Sequence, residues 1–371
     1  MTTHVAPARS IGILGTGSYL PKEEITNEEI ARRVPGITAE WIGRRTLIHG
    51  RRYAAPEEAT SDLARHAATA ALQQAGVEAD RIDYLIVATS TGDAPLPPTS
   101  SLVQNDLGAH RAACFDINIA CAGFVYALDI ARALVALRPG SLALVIGADL
   151  YSRFLDYDDR GTAVLLGDGA GAAVVGAVPE PYGILDIELS GRGDVHELIW
   201  IEGGGSRVPA SADTVANGGH FLRMRGRGVA DFVMENVPPM IGPLLARTGT
   251  ALDQVAHFVP HQANGVLLGE LVQRCGLTAA RTHTPLVKYG NMGAASVPVA
   301  LDEASRAGLL ADGELLLLAG FGAGMAAGLC LLRWCVPGVG AQAGVQTQAL
   351  NSRTPSAPFP PALLAQKECA Q

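Results

Sequence analysis

The sequence predicts an α/β fold built twice, and three observations predict it. Short, continuously apolar runs such as Asp83 to Thr89 (DYLIVAT) and Leu315 to Ala319 (LLLLA) read as strands buried on both faces. Segments between them carry helix signals, as in Ser61 to Ala75, which has Gly76 just past its end. The alternation of strand and helix runs through both halves of the chain, which suits sheets covered by helices on each side.

Taken in order, residues 1–9 read as a loose leader. Ile11 to Leu14 is a short buried strand, and Gly15-Thr16-Gly17 after it a tight turn. A dinucleotide fingerprint is not expected there, because Leu20 stands where the third glycine belongs and Pro21 interrupts the helix that should follow. Ser61 is the expected N-cap of the first long helix. Strands follow at 83–89, 142–148 and 171–175, the last entered through Gly167-Asp168-Gly169-Ala170-Gly171, read as a turn with close backbone packing. In the second half, Ala230 to Ala246 is helical, with Pro238 and Pro239 kinking or dividing it. Strands are expected at 258–259, 315–319 and 328–332, and a helix over Val299 to Ala307. The uncharged run from Leu315 to Leu332 reaches the lower limit for a membrane helix, roughly 18–20 residues. Its glycines at 320, 322, 324 and 328 favour two strands around a turn instead. From about Pro337 the chain is rich in Ala, Pro, Gln and Ser and reads as a flexible tail. The organisation is therefore a leader at 1–9, halves at 10–180 and 181–335, and a tail at 336–371. No sequence repeat supports the duplication; element order alone carries it.

A net charge of −8 gives no case for nucleic acid as partner. The N-terminus lacks a charged region followed by an apolar stretch, so no membrane targeting is expected and the cytoplasm is the expected compartment. The cysteines at 114, 121, 275, 330, 335 and 369 form no CxxC pair, and His196-Glu197 lacks the second histidine of a zinc motif. No metal is expected.

Cys121 differs from the other thiols. It follows a strand-like FDINI and precedes an apolar helix from about Ala122 to Leu137. A cysteine at a helix N-terminus faces unpaired N–H groups and the positive end of the helix dipole, both of which stabilise thiolate. Small neighbours (Ala120, Ala122, Gly123) leave room for a substrate. A buried core thiol is the alternative reading of Cys121 alone. His261, in HFVPHQAN, sits just past a short strand, and Asn291, in KYGNMGAASVP, sits in a glycine-flanked loop before a helix. Singly, each could be a turn or capping residue. Together they supply a nucleophile and two polar partners on three loops.

These motifs resemble the β-ketoacyl-ACP synthase III family: ACAGFVYAL around Cys121, VPHQAN around His261, YGNMGAASVPVAL around Asn291, and GFGAGMAAG from Gly320 to Gly328. DRGT at Asp159 and GDGAGAAV at Gly167 also fit, and the similarity runs from about Ile11 to Arg333. The resemblance implies a thiolase-like fold, two pseudo-symmetric βαβαβαββ halves in five layers (α-β-α-β-α), as a homodimer. It implies that an acyl group moves from acyl-CoA onto Cys121. A malonyl thioester, on acyl carrier protein or on CoA, then loses CO2 and attacks that group, giving a 3-oxoacyl thioester in fatty acid or related biosynthesis. The CoA thioesters are substrates, and no further cofactor is implied. His261 Nε2 and the Asn291 amide would stabilise the enolate formed by decarboxylation; a preorganised donor of this kind contributes roughly 3–4 kcal/mol. Backbone N–H groups of Cys121 and Ala323 would form the oxyanion hole for the acyl carbonyl. Trp41, Arg45 and Arg160 match positions that hold the CoA nucleotide, and Asn264 one that meets the pantetheine arm. Leu96 falls on a loop that reaches the partner's acyl pocket, and its small size relative to Phe implies tolerance of branched or medium chains.

The chain departs from the family at its docking face. Asp231 stands near a frequent Lys and Val266 replaces a frequent Arg, so an acidic carrier protein would have to use Arg223, Arg225, Arg227 and Arg274. Other readings are a synthase III-like enzyme of secondary metabolism with an unusual primer or acceptor, and a Cys-dependent acyltransferase that needs no decarboxylation. A non-decarboxylating thiolase would want a second cysteine at the C-terminal glycine turn, where Met325 stands. A catalytically inactive scaffold subunit would have no use for all three polar groups.

Overall fold

The structure is a computed structural model that describes residues 9–336. The expected leader, apart from Arg9, and the expected tail, apart from Val336, lie outside the described residues.

Strands of the first half are β1 (Arg9–Tyr19), β2 (Glu23–Thr26), β3 (Gly50–Tyr53), β4 (Tyr84–Ala88), β5 (Ala113–Ile117), β6 (Ala143–Leu150) and β7 (Asp168–Pro179). Those of the second are β8 (Gly183–Gly191), β9 (Ile199–Trp200), β10 (Arg223–Met224), β11 (Val255–Pro260), β12 (Arg281–Thr282), β13 (Leu315–Gly322) and β14 (Ala326–Arg333). Two five-stranded sheets run in the orders β1-β7-β6-β4-β5 and β8-β14-β13-β11-β12. Read from these ends, both have the same pairing senses: antiparallel, antiparallel, parallel, parallel. The duplication that the sequence expresses only as element order is thus explicit in topology.

Period-two burial sorts each strand between two layers. On β4 and β6, Ile86, Ala88 and Val145 face inward, onto the helices Gly123–Leu137 and Ser296–Arg306. Val259 of β11 and Leu316 and Leu318 of β13 meet the same helices from the other sheet. The alternate residues Leu85, Val87, Leu144 and Ile146 face outward, onto the helices Thr60–Ala75 and Thr99–Leu107. Phe258, Leu317, Leu329 and Leu331 do the same beneath the helices Gly226–Thr248 and Gly265–Arg274. The result is the five-layered α-β-α-β-α thiolase-like arrangement. The helix of the middle layer, with its preceding turn (Ala120–Leu137), is long and apolar enough to cross a membrane, but it lies between the two sheets.

Several local expectations change. Gly15-Thr16-Gly17 is not a turn but the middle of β1, which runs to Tyr19. A Cβ on Gly17 would stand 2.2 Å from the Ala71 backbone nitrogen, so the glycines are there for contact with the helix Thr60–Ala75. GDGAG is likewise mostly strand: β7 begins at Asp168, and Gly171 lies against Pro298 and Val299 of the middle layer. The N-cap of the first long helix is Ala59, not Ser61; Asp62 accepts the Ala59 N–H, while Ser61 bonds to Asp93. Pro238 and Pro239, together with Pro243, lie inside one helix, Gly226–Thr248. Residues 315–332 form β13 and β14 around a short turn, as the glycines imply.

Candidate active site

Equivalent points of the two halves supply the key side chains. The third strand of one sheet, β5, leads to the turn Ala120–Ala122 and the helix Gly123–Leu137; its counterpart β12 leads to Asn291, the turn Gly293–Ala295 and the helix Ser296–Arg306. The two turns pack against each other, and the Ala120–Ala122 turn also meets β13 and the turn Ala323–Met325. Cys121 and Asn291 line one small cavity, together with Ala323.

Cys121 is buried, and the backbone N–H groups of Ala323 and of Cys121 itself both reach its sulfur. Gly322 crosses so closely that a Cβ there would stand 2.8 Å from the Cys121 Cβ and 3.0 Å from its Sγ. Ala120, with φ 42, holds the left-handed conformation that sets the turn. The expected stabilisation of thiolate is outweighed. Burial, then the nearby charge of Asp149, pushes the thiol up to about 12 against the pull of the two N–H groups. The resting group is a neutral thiol.

His261 follows β11, fixed by its N–H to the Ala319 carbonyl, with its ring edge-on to Phe321 at 5.5 Å. Burial lowers its pKa to about 3 against an opposing backbone contact with Gly293, so it is neutral at physiological pH. Its Nδ1 is sealed in without a hydrogen-bond partner, and His261 is not among the residues that line the Cys121 cavity. Asn291 is held through its backbone to Leu165 and Gly167. Its Oδ1 accepts the Gly293 N–H at 2.9 Å, so the NH2 end is free to donate.

The residues expected to hold CoA form a connected row. The Arg160 guanidinium lies 5.6 Å over the Trp41 ring. Trp41 and Arg45 are one turn apart on the helix Ala39–Thr46, and the Arg45 carbonyl accepts from Asn264 Nδ2 at 3.2 Å. Asn264 also caps the helix Gly265–Arg274 through Val266 and Leu267, so much of its bonding capacity is structural. Leu96 is 82% exposed and is not brought to the Cys121 cavity of its own chain. Of the arginines expected at the docking face, Arg223 pairs with Asp156 at 2.7 Å, and Arg225 pairs with Glu197 and lies over Trp200; Arg227 and Arg274 are exposed.

Sequence reasoning missed the cavity's apolar wall: Tyr151, Leu165, Leu166, Ile199, Leu222 and Met224. Leu165 and Leu166 lie between the DRGT and GDGAG motifs and could have been suspected from that. Asp149 was missed as well, although a carboxylate ending the apolar run LALVIGAD is an anomaly.

Family models describing 3-oxoacyl-[acyl-carrier-protein] synthase III match residues 115–193, and the C-terminal part of that synthase matches residues 245–334. The chain is 45% identical over 324 residues to an acetoacetyl-CoA synthase of Streptomyces sp. (strain CL190), covering 87% of this chain and 98% of that protein. It is 43% identical to a β-ketoacyl-[acyl-carrier-protein] synthase III of Symbiobacterium thermophilum, covering 88% and 98%. Among solved structures, the 3-oxoacyl-[acyl-carrier-protein] synthase III of Aquifex aeolicus superposes with a TM-score of 0.80 at 35% identity, covering 88% of this chain and all of that one.

Proposed function

The chain belongs to the 3-oxoacyl-[acyl-carrier-protein] (β-ketoacyl-ACP) synthase III family of acyl-transferring condensing enzymes, and from that premise we propose how its residues carry out decarboxylative condensation. Cys121 Sγ attacks the carbonyl carbon of an acyl-CoA. The oxyanion that forms is met by the N–H groups of Cys121 and Ala323, donors worth roughly 3–4 kcal/mol each when aimed at developing charge. The thiol proton passes to the CoA sulfur as the C–S bond breaks, so that His261 keeps its own Nε2 proton for the second stage. A malonyl thioester then enters, and its C–CO2 bond breaks. The electron pair passes into an enolate whose oxygen is held by His261 Nε2–H and the Asn291 NH2. The enolate carbon attacks the acyl-Cys121 carbonyl, the Cys121 sulfur leaves, and a 3-oxoacyl thioester is released. Asn cannot titrate near neutrality, which suits a pure donor.

The observation that carries this reading is the Cys121 sulfur, with two N–H donors on it, in one cavity with the free amide end of Asn291. Trp41, Arg45 and Arg160 hold the CoA nucleotide at the mouth, and no cofactor beyond the thioester substrates takes part. The enzyme works in the cytoplasm as a homodimer. Supporting this, β5 lies at a sheet edge with one side of its backbone ladder open, and the exposed Leu96 would reach a partner's pocket.

A second reading concerns the acceptor. Two of the four arginines expected to meet an acidic carrier protein are already engaged by Asp156 and Glu197. Together with the similarity to an acetoacetyl-CoA synthase, this favours malonyl-CoA as acceptor. One experiment tests both readings. The protein is incubated with a panel of acyl-CoAs, weighed intact, then given malonyl-CoA or malonyl-carrier protein while CO2 is followed. Acyl mass on the wild type but not on Cys121→Ala, followed by CO2 and a 3-oxoacyl product, is expected. Loading without CO2 from either malonyl thioester would leave only acyl transfer.

A further inference from the structure

Asp149 is the last residue but one of β6, the central strand of the first sheet, and is fully buried. Its Oδ1 accepts from the Ser90 N–H at 2.8 Å and the hydroxyls of Thr91 and Thr89 at 3.1 and 3.2 Å, all from its own half. Its Oδ2 does something different: it accepts the Ala294 N–H at 2.7 Å, across the boundary between the halves. Ala294 belongs to the turn that begins at Asn291. Gly293, at φ +55 in that turn, comes so near that a Cβ would stand 2.1 Å from Oδ2. Gly147, two residues earlier on β6, meets the same turn: a Cβ there would lie 2.3 Å from the Ala294 carbonyl oxygen. The 291–295 turn is therefore clamped onto the end of β6.

That turn carries Asn291 and touches His261, the two groups assigned above to the enolate. The Gly293 N–H holds the Asn291 oxygen and so turns its NH2 outward, and the Gly293 backbone is also the contact on His261. The backbone donors on the Cys121 sulfur come instead from the Ala120–Ala122 and Ala323–Met325 turns, which Asp149 does not hydrogen-bond. Nearly all of the carboxylate's bonding capacity is spent on protein, so it has no free oxygen for substrate.

We propose that Asp149 is a positioning residue for the decarboxylating half-reaction: its carboxylate fixes the 291–295 turn and thereby aims Asn291 and seats His261, while none of its hydrogen bonds reaches the turns that hold the donors on Cys121. This rests on the assignment of Asn291 and His261 as enolate donors.

The test separates the two half-reactions. Asp149→Asn keeps the volume but sets an NH2 against either the Ala294 or the Ser90 N–H, so one backbone acceptor is lost. Gly293→Ala breaks the same clamp from the other side without altering a charge. In each variant, acyl loading from acetyl-CoA is followed by intact mass, and CO2 release by the loaded enzyme from malonyl-CoA and from malonyl-carrier protein. Loading is expected to fall no more than threefold below wild type, since removing the Asp149 charge can only ease loss of the Cys121 proton, with decarboxylation down about a hundredfold, as when a preorganised donor is lost. The loss should fall on kcat and not on KM for the malonyl thioester. Wild-type decarboxylation in either folded variant overturns the proposal, and so does an equal fall in both half-reactions. If Asp149→Asn does not fold, by circular dichroism, Gly293→Ala decides alone. Asn291→Ala run alongside tells the two assignments apart. If it decarboxylates normally, the donor assignment fails; if it does not while the Asp149 variant does, only the role of Asp149 fails.

Discussion

A thiol pushed up to about 12 cannot be the ready nucleophile that a helix N-terminus suggests. Burial outweighs the dipole and the two N–H groups, so the proton must leave as substrate arrives. Alkylation of Cys121 by iodoacetamide should therefore climb through pH 8 to 10 with no plateau below, and a plateau at neutral pH would show a preformed thiolate. His261 gives a second prediction, on stability. Its folded pKa of about 3 lies below the ordinary value of 6.5. Between those limits the unfolded chain binds the extra proton, so this contribution is whole above pH 6.5 and is lost as pH falls toward 3. Asp149, raised to about 6 by burial, acts oppositely between pH 3.8 and 6. His261→Gln should thus lose less Tm than wild type between pH 7 and pH 4; an equal loss would place the acid sensitivity elsewhere. Cys121, His261 and Asn291 were legible because each sits in a local motif. Asp149 and Tyr151 were not, because their meaning lies in neighbours more than a hundred residues away, such as Ala294 and Gly293.

Elements show where local signals yield to packing. Glycine usually marks chain reversal, and by that rule the glycines of β1 and β7 read as turns. In a five-layered molecule they mark the places where a helix backbone rests directly on a strand. Gly17→Ala would put a methyl 2.2 Å from the Ala71 nitrogen and 2.3 Å from the Ala67 carbonyl oxygen. The helix Thr60–Ala75 must then lift, at a cost of at least ~1–3 kcal/mol, to be read as a fall in denaturation midpoint with unchanged m. An unchanged midpoint would mean that the contact is looser than described. The prolines of Gly226–Thr248 make the converse case. Phe232, Val233, Val237, Ile241 and Leu244 bury one face against the second sheet, while Pro239 and Pro243 lie on the exposed face. Tertiary packing holds a helix that propensity alone would divide. Gly322→Ala belongs to the same scale: a Cβ 3.0 Å from the Cys121 sulfur should reduce acyl loading more than tenfold while leaving the sheet intact. Loading at the wild-type rate would show that the turn can yield.

At the scale of the molecule, the strand–helix alternation revealed the class of fold. Periodicity could not reveal that the sheets share order and pairing sense, since that is a property of hydrogen-bond partners and not of any one segment. The open edge of β5 predicts a dimer mass in light scattering; a monomer at micromolar concentration would leave Leu96 without a pocket to reach. The matched sheets have one more consequence. Cys121 rides on one copy of the repeated unit and His261 and Asn291 on the other, so neither copy holds all three side chains. A half-length chain of either copy would therefore hold Cys121 or Asn291 without the other, and the cavity that the two line together would have only one of its walls.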